Sequence, residues 1–316
     1  MEPFLPIDAL RTLSRVSSRR AVVDLVAVWG TIVAASALAL RLDTAWAYGV
    51  AVLVIGSRQS ALANLAHEAW HGLCFQRRQL NNQVGAWLYA YPIGIPFHHD
   101  RRRHLAHHGR VGFEDDPDWV NYSNQARETP SRLALFLLGR LLGSLLVSTL
   151  WSVLVRRRAR IPVPDEARDA VTLRSEWLAI AACQAALFAA GALLHAWWVY
   201  PLLWLLPLGT VAAFCNNLRA FVEHSAEHDA VTPEARLRDY APGPLEAAWF
   251  SPCHFHFHAL HHAFPSIPHY RLPVAKRRLT DHQQAYPFAE APGYLSCLAA
   301  RLLRRPATFP VAPPSA

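Results

Sequence analysis

Apolar residues recur along this chain in runs long enough to cross a lipid bilayer, separated by short polar stretches. A spanning helix needs about 20 mostly apolar residues. Residues 22–40 and 45–65 meet that length, the second with some polar interruption, and 177–198 and 201–218 meet it again. The junction Val199-Tyr200-Pro201 is so short that it predicts a tight hairpin between the last two spans. A fifth apolar run, 133–155, carries Arg140 part-way along, which is costly against lipid. Between Leu80 and Phe97 lies an aromatic stretch, Trp87-Leu88-Tyr89-Ala90-Tyr91, too short to span and return, so it is expected along the headgroup region. The pattern predicts an all-α integral membrane protein with four transmembrane helices, one domain over residues 1–305, and a proline-rich, disordered tail over 306–316.

Composition agrees. Hydrophobic residues make up 53% of the 316 positions and charged residues 17%, against about a quarter charged in soluble domains. The net charge of +8 sits in short clusters beside apolar runs, such as Arg19-Arg20, Arg77-Arg78, Arg101 to Arg103 and Arg156 to Arg158. These read as membrane-flank cations, and no nucleic-acid motif accompanies them. Five scattered cysteines without a CxxC pair suggest neither a disulfide framework nor a zinc ribbon.

The chemistry lies in the 17 histidines. His67-Glu68-Ala69-Trp70-His71 reads HxxxH, while His104-Leu105-Ala106-His107-His108 and His258-Ala259-Leu260-His261-His262 each read HxxHH. On a helix, positions three or four apart share a face, so each box can aim two imidazoles at one point. Imidazole suits iron, zinc, copper and nickel. Eight histidines exceed what one tetrahedral ion uses, so two metals are the natural count. His224, where the chain leaves the fourth span, is expected as a ninth ligand, with His228 one turn later as its rival. Nearby acids, namely Glu68, Asp115, Asp116, Asp118 and Glu223, are cast as groups that orient imidazole N–H donors. His98, His99, His254, His256, His269 and His282 are read as outer or surface groups, and His195 as remote from the site.

Topology follows from requiring one site. Between His108 and His224 the number of crossings must be even, and the 177–218 hairpin supplies two. Residues 133–155 are therefore expected to be interfacial or re-entrant. Arginine-rich segments flank the boxes, and the Val199-Tyr200 loop has no Lys or Arg, which puts the histidine face in the cytoplasm.

The chain resembles the membrane fatty acid desaturase and hydroxylase superfamily. The resemblance rests on HEAWHG at 67–72, RRRHLAHH at 101–108 with EDDPDW at 114–119, NNLRAFVEH at 216–224 and HFHFHALHHAFPSIPHYRLP at 254–273. It implies four spans carrying a cytoplasmic helical cap that holds two iron ions, bound largely by His67, His71, His104, His107, His108, His224, His258, His261 and His262. It implies O₂-dependent desaturation or hydroxylation of an alkyl chain, with ferredoxin or cytochrome b5 and a reductase as separate electron donor. The expected location is a bacterial inner membrane. Departures narrow the branch. His258 stands where front-end desaturases carry Gln, the first box is HxxxH rather than HxxxxH, and Ala220 removes an Asn-x-x-x-His pattern ending at His224.

Other readings compete. A carotenoid ketolase or hydroxylase shares the boxes, while the SIPHYRLP ending favours an acyl substrate. HEAWH also fits the HExxH helix of zinc proteases with Glu68 as general base, but that leaves both HxxHH boxes without a role. A metal transporter would place its site near the bilayer midplane, whereas these boxes fall outside the spans.

Overall fold

The computed structural model describes residues 4–111, 113, 115–118, 129–155, 166–224 and 237–303, with the side chains of 150–155, 166–172 and 224 outside that description. His228, the Arg156 to Arg158 cluster and the 306–316 tail lie outside the described residues.

After a short helix α1 (Ile7–Leu13), the first long helix, α2 (Ser18–Leu42), begins at Ser17, whose hydroxyl accepts the Arg20 N–H at 3.4 Å. That contact supplies one of the helix's orphan N-terminal donors with a partner. Asp43 ends α2 in the left-handed region, φ 45°, and α3 (Ala45–Trp70) returns. α3 runs five residues beyond the predicted 65, so the first histidine of the first box sits on a helix that continues out of the apolar run. Its second half is almost wholly buried. Gly56 makes room for the fourth span, since a Cβ there would lie 2.5 Å from Val211 Cβ.

The third long helix, α8 (Glu166–Leu193), ends before the predicted 198. The Ala196 N–H bonds back to Gly191 O at 2.9 Å, and His195 takes φ 55°. This is the left-handed helix stop that Asn or Gly usually supplies. The hairpin turn is consequently longer than the Val199–Pro201 junction predicted. The fourth helical stretch starts at Pro201 with two widened turns, Pro201–Leu205 and Leu208–Ala212, and tightens into α9 (Ala213–His224). Among the described residues, four stretches, Ser18–Leu42, Ala45–Trp70, Leu173–Leu193 and Pro201–Glu223, are long and apolar enough to cross a membrane.

Residues 130–155 form two 12-residue helices, α6 (Pro130–Leu141) and α7 (Ser144–Val155), broken at Gly143 with φ 87°. Each is about 18 Å long, short of the roughly 30 Å hydrocarbon core. The aromatic stretch follows α4 (Arg78–Val84) as a wide turn Gly85–Ala90 and a tight turn Tyr91–Ile93, both packed on α3. Its irregular backbone is satisfied by side chains of the spans. Gln184 donates to Tyr91 O and Pro92 O at 3.0 and 2.9 Å, and Trp204 donates to Pro92 O at 3.1 Å. Away from water, backbone that leaves the helix needs such partners.

α5 (Phe97–His108) carries the second box. The C-terminal part adds α10 (Pro244–Phe250), α11 (His258–Ala263), α12 (Leu272–Gln283), α13 (Tyr294–Leu302) and one pair of two-residue parallel strands, β1 (Asp239–Tyr240) with β2 (Glu290–Ala291). An apolar cluster of Leu5, Leu13, Phe257, Leu260, Ile267, Leu272 and Leu279 fastens α1 against α11 and α12.

Candidate metal centre

His67 lies in the last turn of α3 and His71 caps it, so their spacing of four puts both rings on one side. α5 presents His104 and His108 at the same spacing, and α11 presents His258, His261 and His262. Chain folding brings the three boxes together. The ligand atoms of His67, His71, His104, His108 and His261 all lie within 4.8 Å of one another. His71 Nε2 is 2.8 Å from His104 Nε2, and His108 Nε2 is 2.9 Å from the same atom. About 3 Å is the separation of two nitrogens that share a cation at about 2.1 Å. A second group adjoins the first. His262 stacks on His108 with centroids 4.2 Å apart, lies 5.1 Å from His107 and 4.6 Å from His258. Eight of the nine expected ligands thus line one continuous imidazole cage, with His108 common to both groups. His224 ends α9, and its side chain lies outside the described residues.

Burial of these rings favours the neutral form, which is the form that binds metal. Desolvation lowers His71 to about 4, with the Arg101 charge adding, and lowers His108 to about 3; it pushes His104, His261 and His262 well below the usual imidazole value, and neighbouring rings add to the effect at these four. Buried His67 Nδ1, His108 Nδ1 and His261 Nε2 have no hydrogen-bond partner among the described residues. Leaving buried polar atoms unpaired is costly, and a cation at the centre would relieve the cost for any of them that face it.

The carboxylates divide. Asp116, fully buried, takes His107 Nδ1 on both oxygens at 2.8 and 2.9 Å, the arrangement that fixes a ring's tautomer and leaves Nε2 to face a metal. Glu223 Oε2 lies 3.7 Å from His258 Nδ1, held there by Arg219 and by the Tyr294 hydroxyl at 3.0 Å. Asp118 pairs with Arg103, and its own N–H donates to Asp116 Oδ1 at 2.8 Å, steadying that carboxylate. Asp115 pairs with Arg110 on the surface. Glu68 departs from expectation. Its carboxylate accepts the His269 N–H at 3.0 Å instead of an imidazole N–H. Successive residues on a helix diverge by about 100°, and Glu68 is held on the side of His269 by this bond.

Two acids that sequence reasoning passed over hold the second and third boxes in place. Glu176, on α8, accepts the N–H groups of His98 at 2.7 Å and His99 at 3.0 Å, at the start of α5. Asp239, on β1, accepts those of Ala259 at 2.8 Å and Leu260 at 3.2 Å, at the start of α11. Each buried carboxylate satisfies donors that a helix leaves orphaned and faces the positive end of its dipole. A signal for Glu176 exists in the sequence, a lone acid entering an apolar run. Asp239 has none. Arg219 adds a strut, donating to Asn64 Oδ1 at 2.6 Å and lying 4.8 Å from the Phe255 ring, which in turn stands edge-on to His67 at 4.7 Å.

Comparison with known proteins accords with this geometry. Dihydrorhizobitoxine desaturase of Bradyrhizobium elkanii is 27% identical over 263 residues, 79% of this chain and 73% of that protein. A chloroplastic omega-3 fatty acid desaturase of Ricinus communis is 26% identical over 240 residues, 68% of this chain and 49% of that protein, so the match spans about half of its length. Ceramide hydroxylase of Caulobacter vibrioides is 31% identical over 101 residues, 29% of each chain. The family model described as fatty acid desaturase matches residues 44–291, which hold all three histidine boxes and all four candidate spans except the first, and the chain belongs to the fatty acid desaturase family.

Proposed function

We propose that the chain is a di-iron membrane oxidoreductase that introduces a double bond into the alkyl chain of an acyl lipid. The observation that carries the proposal is the convergence of His67, His71, His104, His108 and His261 from three separate segments onto one volume. His107, His258 and His262 adjoin it and would complete a second half-site, with His224 as ninth ligand. This donor set fits iron, because neutral imidazoles dominate and the buried acids serve as their outer partners. Two irons, when bound, would supply the O₂ chemistry needed to break an unactivated C–H bond.

The protein's own part is position. Asp116 holds the His107 tautomer, Glu176 and Asp239 hold the helices, and the apolar spans exclude water from the alkyl chain. The four spans would lie in a bacterial inner membrane, with α6 and α7 at the interface and the cage in a cytoplasmic cap, as the arginine flanks suggest. Electrons would come from ferredoxin or from cytochrome b5 with its reductase. The similarity to a ceramide hydroxylase supports hydroxylation as the second reading, because both outcomes share the first hydrogen abstraction.

Expression in a host of defined lipid composition tests the proposal. Mass spectrometry should find a lipid lighter by two hydrogens than its precursor, absent with His261→Ala, and purified protein should hold two irons per chain. A product heavier by one oxygen selects the hydroxylase reading. Bound zinc without iron and no lipid product would overturn both.

A further inference from the structure

Beside the cage lies a cavity of about 260 Å³, roughly the liquid volume of nine waters, with polar side chains set in a partly apolar wall. The first turns of α2, the middle of α3, α10 and residues 251–256 line it. Alternation along that last segment separates it from the cage. Phe255 stands against His67, whereas Cys253, His254 and His256 line the cavity. Cys253 and His254 take φ of 63° and 56°, an uncommon conformation for such residues, which sets this facing.

Its charges are unbalanced. Asp24 faces the cavity, but Arg20 Nε at 3.1 Å and His269 Nε2 at 3.1 Å both pair with its carboxylate. Arg58 has no acidic partner among the described residues, and its Nη2 donates to Ser57 Oγ at 2.9 Å and to the Ala248 carbonyl. Among the lining residues Arg58 is therefore the cation with no carboxylate against it. Three buried polar atoms of lining residues also lack partners among the described residues, namely Ser251 Oγ, His256 Nδ1 and His269 Nδ1. His269 Nε2 bonds Asp24 at 3.1 Å, so Nδ1 is the ring atom left for a further hydrogen bond. A ligand that meets these groups carries one negative charge, acceptor oxygens for Arg58 and Ser251, and a hydroxyl that can bond an imidazole nitrogen. Arg20, Asp24, Ala27 and Val28 form one wall of the cavity at the edge of the first candidate span, the level at which headgroups lie.

We infer that this cavity binds the phosphodiester headgroup of a membrane lipid, with Arg58 as its principal anionic contact and His254, His256, His269 and Ser251 as its polar cradle. The site is separate from the metal cage, and its test does not depend on turnover. The metal-loaded full chain, in an uncharged maltoside detergent, is titrated with dihexanoyl phosphatidylglycerol, with dihexanoyl glycerol lacking the phosphate, and with inorganic phosphate, while thermal unfolding is followed. A saturable rise in the midpoint is expected with the phosphatidylglycerol alone, its apparent affinity falling about tenfold or more in Arg58→Gln. His254→Asn, which tolerates the left-handed backbone, should weaken binding too and decides the matter if Arg58→Gln does not fold. Equal stabilisation by the phosphate-free lipid, or unchanged binding in the folded variants, overturns the site. Matching stabilisation by inorganic phosphate makes it a soluble-anion site and overturns the lipid assignment.

Discussion

Glu176 accepts the backbone N–H of His98 at 2.7 Å, which ties the third span to the helix carrying the second histidine box. The contact joins residues 78 positions apart and adds His99 at 3.0 Å and the Tyr91 hydroxyl at 3.2 Å. A span is thereby coupled to ligand geometry through a carboxylate that touches no ligand atom. Replacing Glu176 by Ala is expected to cost about 1–3 kcal/mol, the penalty of leaving buried donors unsatisfied. Thermal unfolding in detergent checks this, and iron content per chain should fall with it. Unchanged values of both would remove Glu176 from this role.

Asp116 acts one bond from the cage. An Asn at 116 keeps an acceptor for His107 Nδ1 but loses the charge and offers a competing amide. Metal affinity is expected to drop by about 10–100-fold, with far less change in the unfolding of metal-free protein. Competition with a coloured chelator measures the first quantity. Equal losses in both would mean that Asp116 supports the fold rather than the ligand.

Asp239 gives stability a distinctive pH dependence. Burial raises its carboxyl from 3.8 to about 7, with hydrogen bonds from Tyr286 and the Leu260 and Ala259 N–H groups opposing. The folded state then retains a proton that the unfolded chain releases between about pH 4 and pH 7. This contribution is full below pH 4 and lost as pH rises through 7. Asp239→Asn still offers an oxygen to both N–H groups but does not titrate. Between pH 5 and pH 7.5 the wild-type midpoint should fall relative to that variant, and parallel curves would refute the assignment.

The cage has the opposite sign. His71 at about 4 and His108 at about 3 lie below the free imidazole value of 6.5 because burial disfavours their charge. Metal-free protein should therefore lose stability as pH falls from about 6.5 towards 4. Metal retention should persist to about pH 5, because protons compete poorly for these rings. Release of iron centred near pH 6.5, as for exposed histidines, would contradict the observed burial.

The spans and the cage were readable in the sequence for different reasons. Spans follow from continuous apolar length, a local property. The boxes follow from ring spacing at one helical turn, also local. What escaped notice depends on contacts between distant segments. Glu176 and Asp239 reach helices 77 and 20 residues away, respectively, and nothing near them in the chain marks the partner. Glu68 misled because its neighbour His67 faces the cage, and side-by-side positions on a helix face different ways. The end of the third span was misplaced because His195 takes a left-handed backbone that its residue type does not announce.

The third box occupies a helix of only six residues, His258–Ala263. So short a segment is well below the 12–15 residues at which isolated helices become even marginal in water. Its shape is borrowed from Asp239, Leu260 and the packing beneath them. A synthetic peptide of residues 254–273 would be a coil whose imidazoles point nowhere in common, so this motif cannot be grafted as a self-contained cassette and must travel with its scaffold.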